Sequence, residues 1–315
     1  MLAVSATTDS WKTDLWDYCA DLGCEAKCNE PLKGHTSMRV GGATDFFVRP
    51  KSIDQLASLK KSCAEKRVPF FIIGNGTNLI VNDRGFRGVV AKLDRLSAET
   101  NANGNGAFVQ SGMLLASLVE YSVKSSQAGL EGLAGIPGSV GGAIFTNAGA
   151  YGMCIWDIMD EIWLLEPEGM TKSYRPGDFP FGYRTSGILP GEIILGATFR
   201  LEQDEEPAIR DRIHSYTRSR SDSQPLIEKS AGCIFKNPSG VSAAKLIEES
   251  GLKGLKIGSA KVSEKHANFI VNTNGAWASD VLSLVALTRD EVQRCMGVDL
   301  SLEVQVLGEY GLVEF

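Results

Sequence analysis

Apolar and polar positions along the first third of the chain recur with periods that predict helices and strands in turn. Residues 11–22 place their apolar side chains on one side of a predicted amphipathic helix. A second helix is predicted to begin at Ser52, with Gln55 three positions later as a capping-box partner. The β-favouring run 68–73 follows it. This part of the chain is therefore predicted to be an α/β region.

Two glycine-rich segments interrupt this pattern. Residues 74–78 stand between β-favouring runs and predict a turn between two strands, whereas residues 135–152 form a longer glycine-rich stretch. A Rossmann site needs its glycines to open a helix, and the first segment runs into a strand instead. Either segment alone is typical of ordinary turns. The two together favour a polyphosphate ligand held by loop amides, which form concave nests without a helix.

The middle of the chain continues with a strand from residue 107 and a helix over residues 114–126. Strand-like runs follow at 161–165 and 192–201. The acidic segment 203–207 then indicates a domain boundary, because a helix rich in arginine comes next.

The C-terminal third has its own pattern, with a helix over 243–250 and a strand over 267–272. A longer final helix carries one stripe that predicts a small core; the stripe consists of Val281, Leu284, Val285, Thr288, Val292 and Cys295. Residues 302–307 alternate as a half-buried strand does, which turns Glu303 away from the face of Leu302.

Composition narrows the class of protein. The 315 residues suffice for two or three domains, because single cores stop growing at about 250–300 residues. No apolar run approaches the roughly 20 residues of a membrane-spanning helix. The first ten residues lack the basic start and the apolar stretch of a secretory signal. We therefore expect a cytoplasmic protein that does not bind membranes.

The net charge argues against a nucleic-acid-binding protein, and the positions of cysteine and histidine argue against a metalloprotein. A net charge of −6 gives no general attraction to nucleic acid. The seven cysteines are scattered, and Cys19, Cys24 and Cys28 match neither a paired zinc pattern nor iron–sulfur spacings. With three histidines and no close clustering of His, Asp and Cys, we expect no metal site.

Several ordered motifs cover most of the chain: residues 35–42, 135–152, 183–186, 230–238, 265–272 and 302–306. Together they resemble the UDP-N-acetylenolpyruvoylglucosamine reductase (MurB) family, flavoenzymes of bacterial cell-wall synthesis. The resemblance implies an α+β chain with a two-subdomain FAD-binding fold of the vanillyl-alcohol-oxidase (PCMH) type, plus a smaller α/β substrate-binding domain. The compact spacing between the third and fourth motifs is similar to that of the shorter, type II members.

The resemblance also implies a division of the chain. We expect an N-terminal extension at 1–20, FAD-binding subdomain 1 at 21–95, FAD-binding subdomain 2 at 96–205, a substrate-binding domain at 206–300, and a C-terminal strand at 301–315 that returns toward the FAD-binding region.

The implied activity is NADPH-dependent reduction, through noncovalent FAD, of an enolpyruvyl ether of UDP-N-acetylglucosamine to a lactyl ether. Its only partner would be the nucleotide-sugar substrate, and the protein would be a monomer. Two alternatives remain open: another FAD-dependent sugar or hydroxy-acid oxidoreductase on the same fold, and a non-catalytic regulator that binds nucleotide sugars.

Three residues match the catalytic motifs of the resembled family. Arg184 and Glu303 would stabilise the negative charge that develops on the substrate carboxyl group, and Cys233 would give the final proton. The commoner family pattern has Ser at this position. A thiol is a better acid than a hydroxyl, so the donor role is reasonable, and the change also predicts sensitivity to alkylation or oxidation. A lone cysteine is otherwise typical of a small buried side chain.

The resemblance assigns further residues to ligands. For the flavin they are Gly74, Asn75, Gly76, Thr77, Asn78, Gly135, Gly138, Ser139, Gly141, Gly142, Asn147, Ala148, Gly149 and Tyr151. For the substrate they are Tyr183, Lys236 and Asn237.

Some polar residues near these motifs have simpler interpretations. The family often has a basic residue just before Pro225, where this chain has Gln224, so Arg218 or Arg220 could contact a diphosphate instead. By themselves these arginines predict a solvated helix face. His35 and His266 have no acidic partner in the sequence nearby, and a structural role is expected for both.

Overall fold

The computed structural model of the chain describes residues 10–101 and 107–314. Residues 1–9 of the predicted N-terminal extension therefore lie outside the described ranges. None of the helices in these ranges combines the length and the apolarity needed to cross a bilayer.

The α-helices of the described chain are α1 (Ser10–Asp21), α2 (Ile53–Glu65), α3 (Leu115–Lys124), α4 (Val140–Phe145), α5 (Glu206–Ser223), α6 (Ala243–Glu249) and α7 (Ala278–Met296). The strands are β1 (Glu25–Pro31), β2 (Ala43–Arg49), β3 (Phe70–Ile73), β4 (Leu79–Val81), β5 (Phe86–Lys92), β6 (Glu99–Asn101), β7 (Ala107–Gln110), β8 (Gln127–Ala128), β9 (Gly149–Ala150), β10 (Met153–Cys154), β11 (Met159–Leu165), β12 (Thr171–Tyr174), β13 (Ile193–Phe199), β14 (Glu202–Gln203), β15 (Lys229–Cys233), β16 (Lys256–Ile257), β17 (Ala260–Val262), β18 (Phe269–Asn272) and β19 (Gln305–Leu307).

The first region is built on a four-stranded sheet of order β1-β2-β5-β3, in which β1 runs antiparallel to β2 and the other pairs are parallel. Alternation along β2 sends Phe46 to one face and Phe47 to the other. Phe46 packs with α1 and α2, and Phe47 packs with β4 and β19. Both faces of the sheet are therefore buried.

The second region is a five-stranded sheet of order β12-β11-β13-β7-β6, and every pairing in it is antiparallel. Helices α3 and α4 share its core, in which Trp156 is buried and donates Nε1–H to Ile144 O at 2.8 Å. Leu165 and Leu195 from this sheet belong to the core of the first region. The two regions are thus packed directly against each other.

The third region is an antiparallel sheet of order β15-β18-β17-β16 that packs against α6 and α7. Its core also contains Met38, Val40 and Ile80 from the first region. Strand β19 leaves the third region and pairs in parallel with β4, with Gln305 opposite Leu79. The C-terminal segment therefore joins the first region.

Some local predictions differ from the structure. Ser52 Oγ accepts a hydrogen bond from Gln55 N at 3.1 Å, but Gln55 Oε1 accepts from Lys51 N instead of closing the box on Ser52. Cys295 was wrongly placed in the buried stripe of α7. It is exposed, because its thiol lies beside the charged side chains of Glu291 and Arg294 instead of in the core.

Candidate active site

The two glycine-rich segments lie against each other. A Cβ atom at Gly74 would lie 2.3 Å from Ser139 Oγ, and one at Gly138 would lie 3.2 Å from Thr77 Oγ1. Thr77 Oγ1 also donates a hydrogen bond to Pro137 O at 3.0 Å. Two turns that are far apart in sequence therefore form one continuous backbone surface.

The first of these turns carries successive backbone N–H groups without an acceptor. In the described chain, the N–H groups of Asn75, Gly76, Thr77 and Asn78 donate to no protein atom. Gly76 has φ 62°, and a Cβ there would lie 2.2 Å from His35 O, so only glycine fits. Consecutive free amides in a turn form a nest for the oxygens of a phosphate.

The second segment contains a short helix, α4, that the sequence analysis did not anticipate. Its first amides are already used, since Gly141 N–H donates to Ser111 O at 2.8 Å and Gly142 N–H donates to Ser139 Oγ at 3.3 Å. Gly141 and Gly142 can therefore shape a ligand site but have no free N–H to offer. The free amides of residues 75–78 remain the stronger candidates for phosphate contacts.

Arg184 is held in the left-handed backbone region, with φ 56°, which a non-glycine residue seldom adopts. Its Nε–H donates to Glu303 Oε1 at 2.7 Å. Its terminal nitrogens donate to Asn147 O at 3.4 Å and to Gly149 O at 3.1 Å. The guanidinium group is thus fixed between the second glycine segment and the Glu303 carboxylate.

Asn147 supports this arrangement from inside. It is buried, its Nδ2 donates to Gly182 O at 2.7 Å, and its Oδ1 accepts from Trp156 N at 3.5 Å. Both polar ends of the side chain are therefore committed to the protein. Ala148 and Gly149 continue the segment, and Ala148 accepts a backbone hydrogen bond from Ile155 N at 2.9 Å.

A β-bulge places Cys233. The pairing of β15 with β18 shifts register between Ser230 and Cys233, and Gly232 within the bulge has φ 79°. Bulges re-aim side chains next to functional sites. Here the bulge brings the thiol close enough to Glu303 and Arg184 for both charges to act on it.

Glu303 reaches the same place from the C-terminal segment. Its N–H donates to Ile234 O at 2.8 Å, and its carbonyl oxygen accepts from Asn78 Nδ2 at 3.0 Å. Residue 234 directly follows the cysteine, and Asn78 closes the first glycine turn. Glu303 is therefore the point at which three distant segments of the chain meet.

Burial raises the pKa of both acids. Burial raises the pKa of the Cys233 thiol to about 12, and the Glu303 charge adds to the effect, although Arg184 and Arg220 oppose it. Burial likewise raises the pKa of Glu303 despite Arg184 and Lys236. The thiol is therefore protonated at neutral pH. The raised pKa lowers the reactivity of the thiol, and its sensitivity to alkylation or oxidation stays a prediction.

The residues predicted to contact substrate surround this cluster. Tyr183 is half exposed, and its Oη accepts from Asn237 N at 3.3 Å. Asn237 Oδ1 accepts from Ala243 N at 3.0 Å at the start of α6. Lys236 N donates to Ser301 O at 2.9 Å, and its charge acts on Glu303. The structure therefore brings all three residues to the rim of the Arg184–Glu303 pair.

Arg220 lies in a different environment from the one predicted. The arginine-rich pattern indicated a solvated helix face, but Arg220 is only 9% exposed, whereas Arg218 is exposed. Its guanidinium carbon lies 5.8 Å from the ring centre of Tyr151. The sequence did offer one indication of this burial, because the spacing of Ile209, Ile213 and Arg220 places all three along one side of α5.

The histidines have structural surroundings. His35 Nε2 lies 2.8 Å from Glu30 Oε1 and its ring stacks on Phe47, so the expected absence of an acidic partner was wrong. Burial lowers the pKa of His266, and its Nδ1 has no hydrogen-bond partner among the residues that the structure describes. Among residues 10–101 and 107–314, no group of three His, Cys, Asp or Glu side chains could hold a metal ion.

Fold and site together define an FAD-binding protein of the α+β class, and the family model described as FAD binding domain matches residues 44–173. The model described as UDP-N-acetylenolpyruvoylglucosamine reductase, C-terminal domain, matches residues 224–307. A reductase of that name from Carboxydothermus hydrogenoformans is 43% identical over 282 residues, which cover 89% of this chain and 93% of the relative. The chain belongs to the UDP-N-acetylenolpyruvoylglucosamine reductase (MurB) family.

Other relatives agree. The reductase of this name from Geobacter metallireducens is 42% identical over 92% of this chain and 96% of its own length. The crystal structure of the Thermus caldophilus enzyme superposes with a TM-score of 0.77 at 35% identity, covering 90% of this chain and 98% of the other. The family resemblance and the α+β fold class inferred from the sequence are confirmed.

The residues present fit FAD. A diphosphate matches the free amides of residues 75–78, and the closely packed glycine backbones at residues 74 and 138 leave a bare surface beside them. Ser111 Oγ, next to Gly141, is buried and has no hydrogen-bond partner within the described ranges. These groups would hold the cofactor without a covalent bond.

Proposed function

We propose that the chain catalyses the NADPH-dependent, FAD-mediated reduction of UDP-N-acetyl-3-O-(1-carboxyvinyl)-glucosamine to UDP-N-acetylmuramate, in peptidoglycan precursor synthesis. This is a UDP-N-acetylmuramate dehydrogenase activity. The observation that carries the proposal is the meeting of Arg184, Cys233 and Glu303 beside the paired glycine turns.

The chemistry divides between cofactor and protein. Bound FAD would accept hydride from NADPH and deliver it to the vinyl carbon β to the substrate carboxylate. Negative charge then spreads over the substrate carboxyl group. The Arg184 guanidinium, which the carbonyl oxygens of Asn147 and Gly149 hold in place, can stabilise that charge. The Cys233 thiol, which is protonated at neutral pH, gives the proton that completes the reduction.

Glu303 is proposed to act as a protonated acid once substrate is bound. Burial already raises its pKa, and a substrate carboxylate nearby would raise it further. Protonation of Glu303 would end its ion pair with Arg184. The positive charge of Arg184 would then be available to the substrate carboxylate.

Several finer points belong to this proposal. We propose Tyr183, Lys236 and Asn237 as substrate contacts, because they line the rim of the catalytic cluster. We also propose a cytoplasmic monomer whose segments divide after residues 20, 95, 205 and 300. Light scattering of the purified protein would test the oligomeric state.

Anaerobic half-reaction spectroscopy tests the function. The purified protein should be yellow, NADPH should bleach it, and the enolpyruvyl sugar should restore the colour. A protein that is bleached but not recoloured by this sugar would instead be another flavin oxidoreductase. A colourless protein that binds the nucleotide sugar without turnover would be the non-catalytic regulator.

A further inference from the structure

Arg220 is a buried cation that forms no ion pair with any residue in the described ranges. Its Nε–H has no acceptor in the part of the chain that the structure describes, and its Nη1 makes only a long 3.4 Å hydrogen bond to Gln224 Oε1. Burial lowers the pKa of Arg220, and the charge of Arg184 adds to the effect. A guanidinium stays charged at neutral pH. A buried charge without a partner is costly, so a neutralising group from outside the chain is expected.

The surroundings of Arg220 are built to hold its side chain in place. Gly135 has φ 75°, and a Cβ there would lie 3.2 Å from Arg220 Cδ and 3.5 Å from Nε. Tyr151 covers the guanidinium from another side. That ring is itself fixed, because its Oη donates to Tyr216 O at 2.8 Å and it stacks on the Tyr216 ring at 4.3 Å.

The position of Arg220 indicates which ligand supplies the negative charge. Gly135 and Tyr151 both lie within the segment that matches the FAD-binding model, although Arg220 itself is on α5 outside that segment. Arg220 is also close enough to Cys233 and Arg184 for electrostatic interaction with both. A charged group that enters here with the cofactor would be within reach of the guanidinium and next to the reacting groups.

We propose that the Arg220 guanidinium binds a negatively charged oxygen of FAD, on either the diphosphate or the pyrimidine edge of the reduced ring. This inference rests on the proposed flavin-dependent function. A fixed charge near the ring tunes the cofactor, because it stabilises the anionic reduced form more than the neutral oxidised form.

Arg220→Gln, Arg220→Lys and the matched control Arg218→Gln test this contact, since Arg218 is exposed two residues away on the same helix. FAD is titrated into each deflavinated full-length chain, and the two-electron potential of the bound flavin is measured by dye equilibration. A diphosphate contact predicts at least tenfold weaker FAD binding by Arg220→Gln with an unchanged potential. A ring contact predicts a potential lowered by about 30 mV for each tenfold loss of preference for reduced flavin.

Arg220→Lys keeps the charge but loses the fork, so an intermediate effect is expected. If Arg220→Gln does not fold, Arg220→Lys decides, and it must show at least threefold weaker FAD binding or a lower potential. The inference is overturned if both Arg220 variants match the control in FAD affinity and potential, including the case in which only substrate affinity falls. Failure of the parent protein to bind FAD at all would instead overturn the proposed function.

Discussion

The protonation state of Cys233 determines whether the site can donate the proton that completes the proposed reduction. Because burial raises the pKa of Cys233 to about 12, the thiol stays protonated at neutral pH and can act as a proton donor. The neighbouring Glu303 is shifted in the same direction by the same burial. A protonated thiol and a carboxyl group with a raised pKa, beside a fixed guanidinium, form a site suited to receiving negative charge.

The first prediction concerns the proton donor. Cys233→Ala should leave reduction of the flavin by NADPH unchanged and slow the second half-reaction by about 10²–10⁴-fold, because no proton is delivered. Cys233→Ser should keep appreciable turnover. Stopped-flow absorbance measures both half-reactions, and Cys28→Ala, which removes an exposed thiol, is the control. Wild-type rates in the Ala variant would refute the donor role.

The second prediction concerns pH. Activity should fall as the pH rises through the raised pKa of Glu303, because the protonated form is lost. The folded chain also binds this proton more tightly than the unfolded chain. The stabilising contribution is therefore full below the ordinary carboxyl pKa and is lost as the pH rises through the raised one. Glu303→Gln should remove this limb of the kcat profile, and persistence of the limb would assign it to another group.

At the level of elements, the paired turns around residues 74 and 139 form the cofactor surface. Ser139 Oγ does two things there: it accepts the Gly142 N–H at the start of α4, and it fills the space beside Gly74. A side chain at residue 74 would therefore disturb both turns at once.

The third prediction follows from that contact. Gly74→Ala would place a methyl group 2.3 Å from Ser139 Oγ and should raise the dissociation constant of FAD about tenfold, roughly 1.4 kcal/mol. Gly177→Ala is the control, because its Cβ meets nothing within 4 Å. Removing the hydroxyl in the double variant Gly74→Ala/Ser139→Ala should recover part of the affinity. Equal FAD binding by the two single variants would contradict this explanation.

Element by element, the sequence predicted what depends on local pattern. The turn at residues 74–78, the start of α2 at Ser52 and the presence of helices at α5 and α7 follow from local pattern. The contacts that bury Arg220 could not be seen in this way, because its neighbours Gly135 and Tyr151 come from a distant segment. Likewise, only the paired strands β4 and β19 show how Glu303 reaches Asn78, 225 residues away along the chain.

At the scale of the whole molecule, a carboxylate clamps the third region to the first. Asp83, in the turn between β4 and β5, accepts hydrogen bonds from Ala278 N at 2.8 Å and Ser279 N at 2.9 Å. These are the first amides of α7, which an acidic group stabilises. The clamp adds to the apolar core that the two regions share.

The fourth prediction tests this clamp. Asp83→Ala should lower the free energy of unfolding by about 1 kcal/mol, as loss of a helix cap does, and should speed amide exchange in both α7 and the β4–β5 turn. Asp280→Ala removes a cap within α7 itself, where Asp280 accepts from Trp277 N at 3.0 Å. Its effect should stay within the helix. Indistinguishable exchange maps would show that Asp83 does not couple the two regions.

The parallel pairing of β4 with β19 also determines how late in synthesis β4 can find its partner. Residues 79–81 leave the ribosome long before residues 305–307 are translated, and domains generally fold as they emerge. The nascent chain must therefore leave β4 without its β19 partner until residues 305–307 have been translated. Glu303 is translated just before β19. A partly made chain that already holds flavin would therefore lack the Glu303 carboxyl group that the proposed chemistry requires.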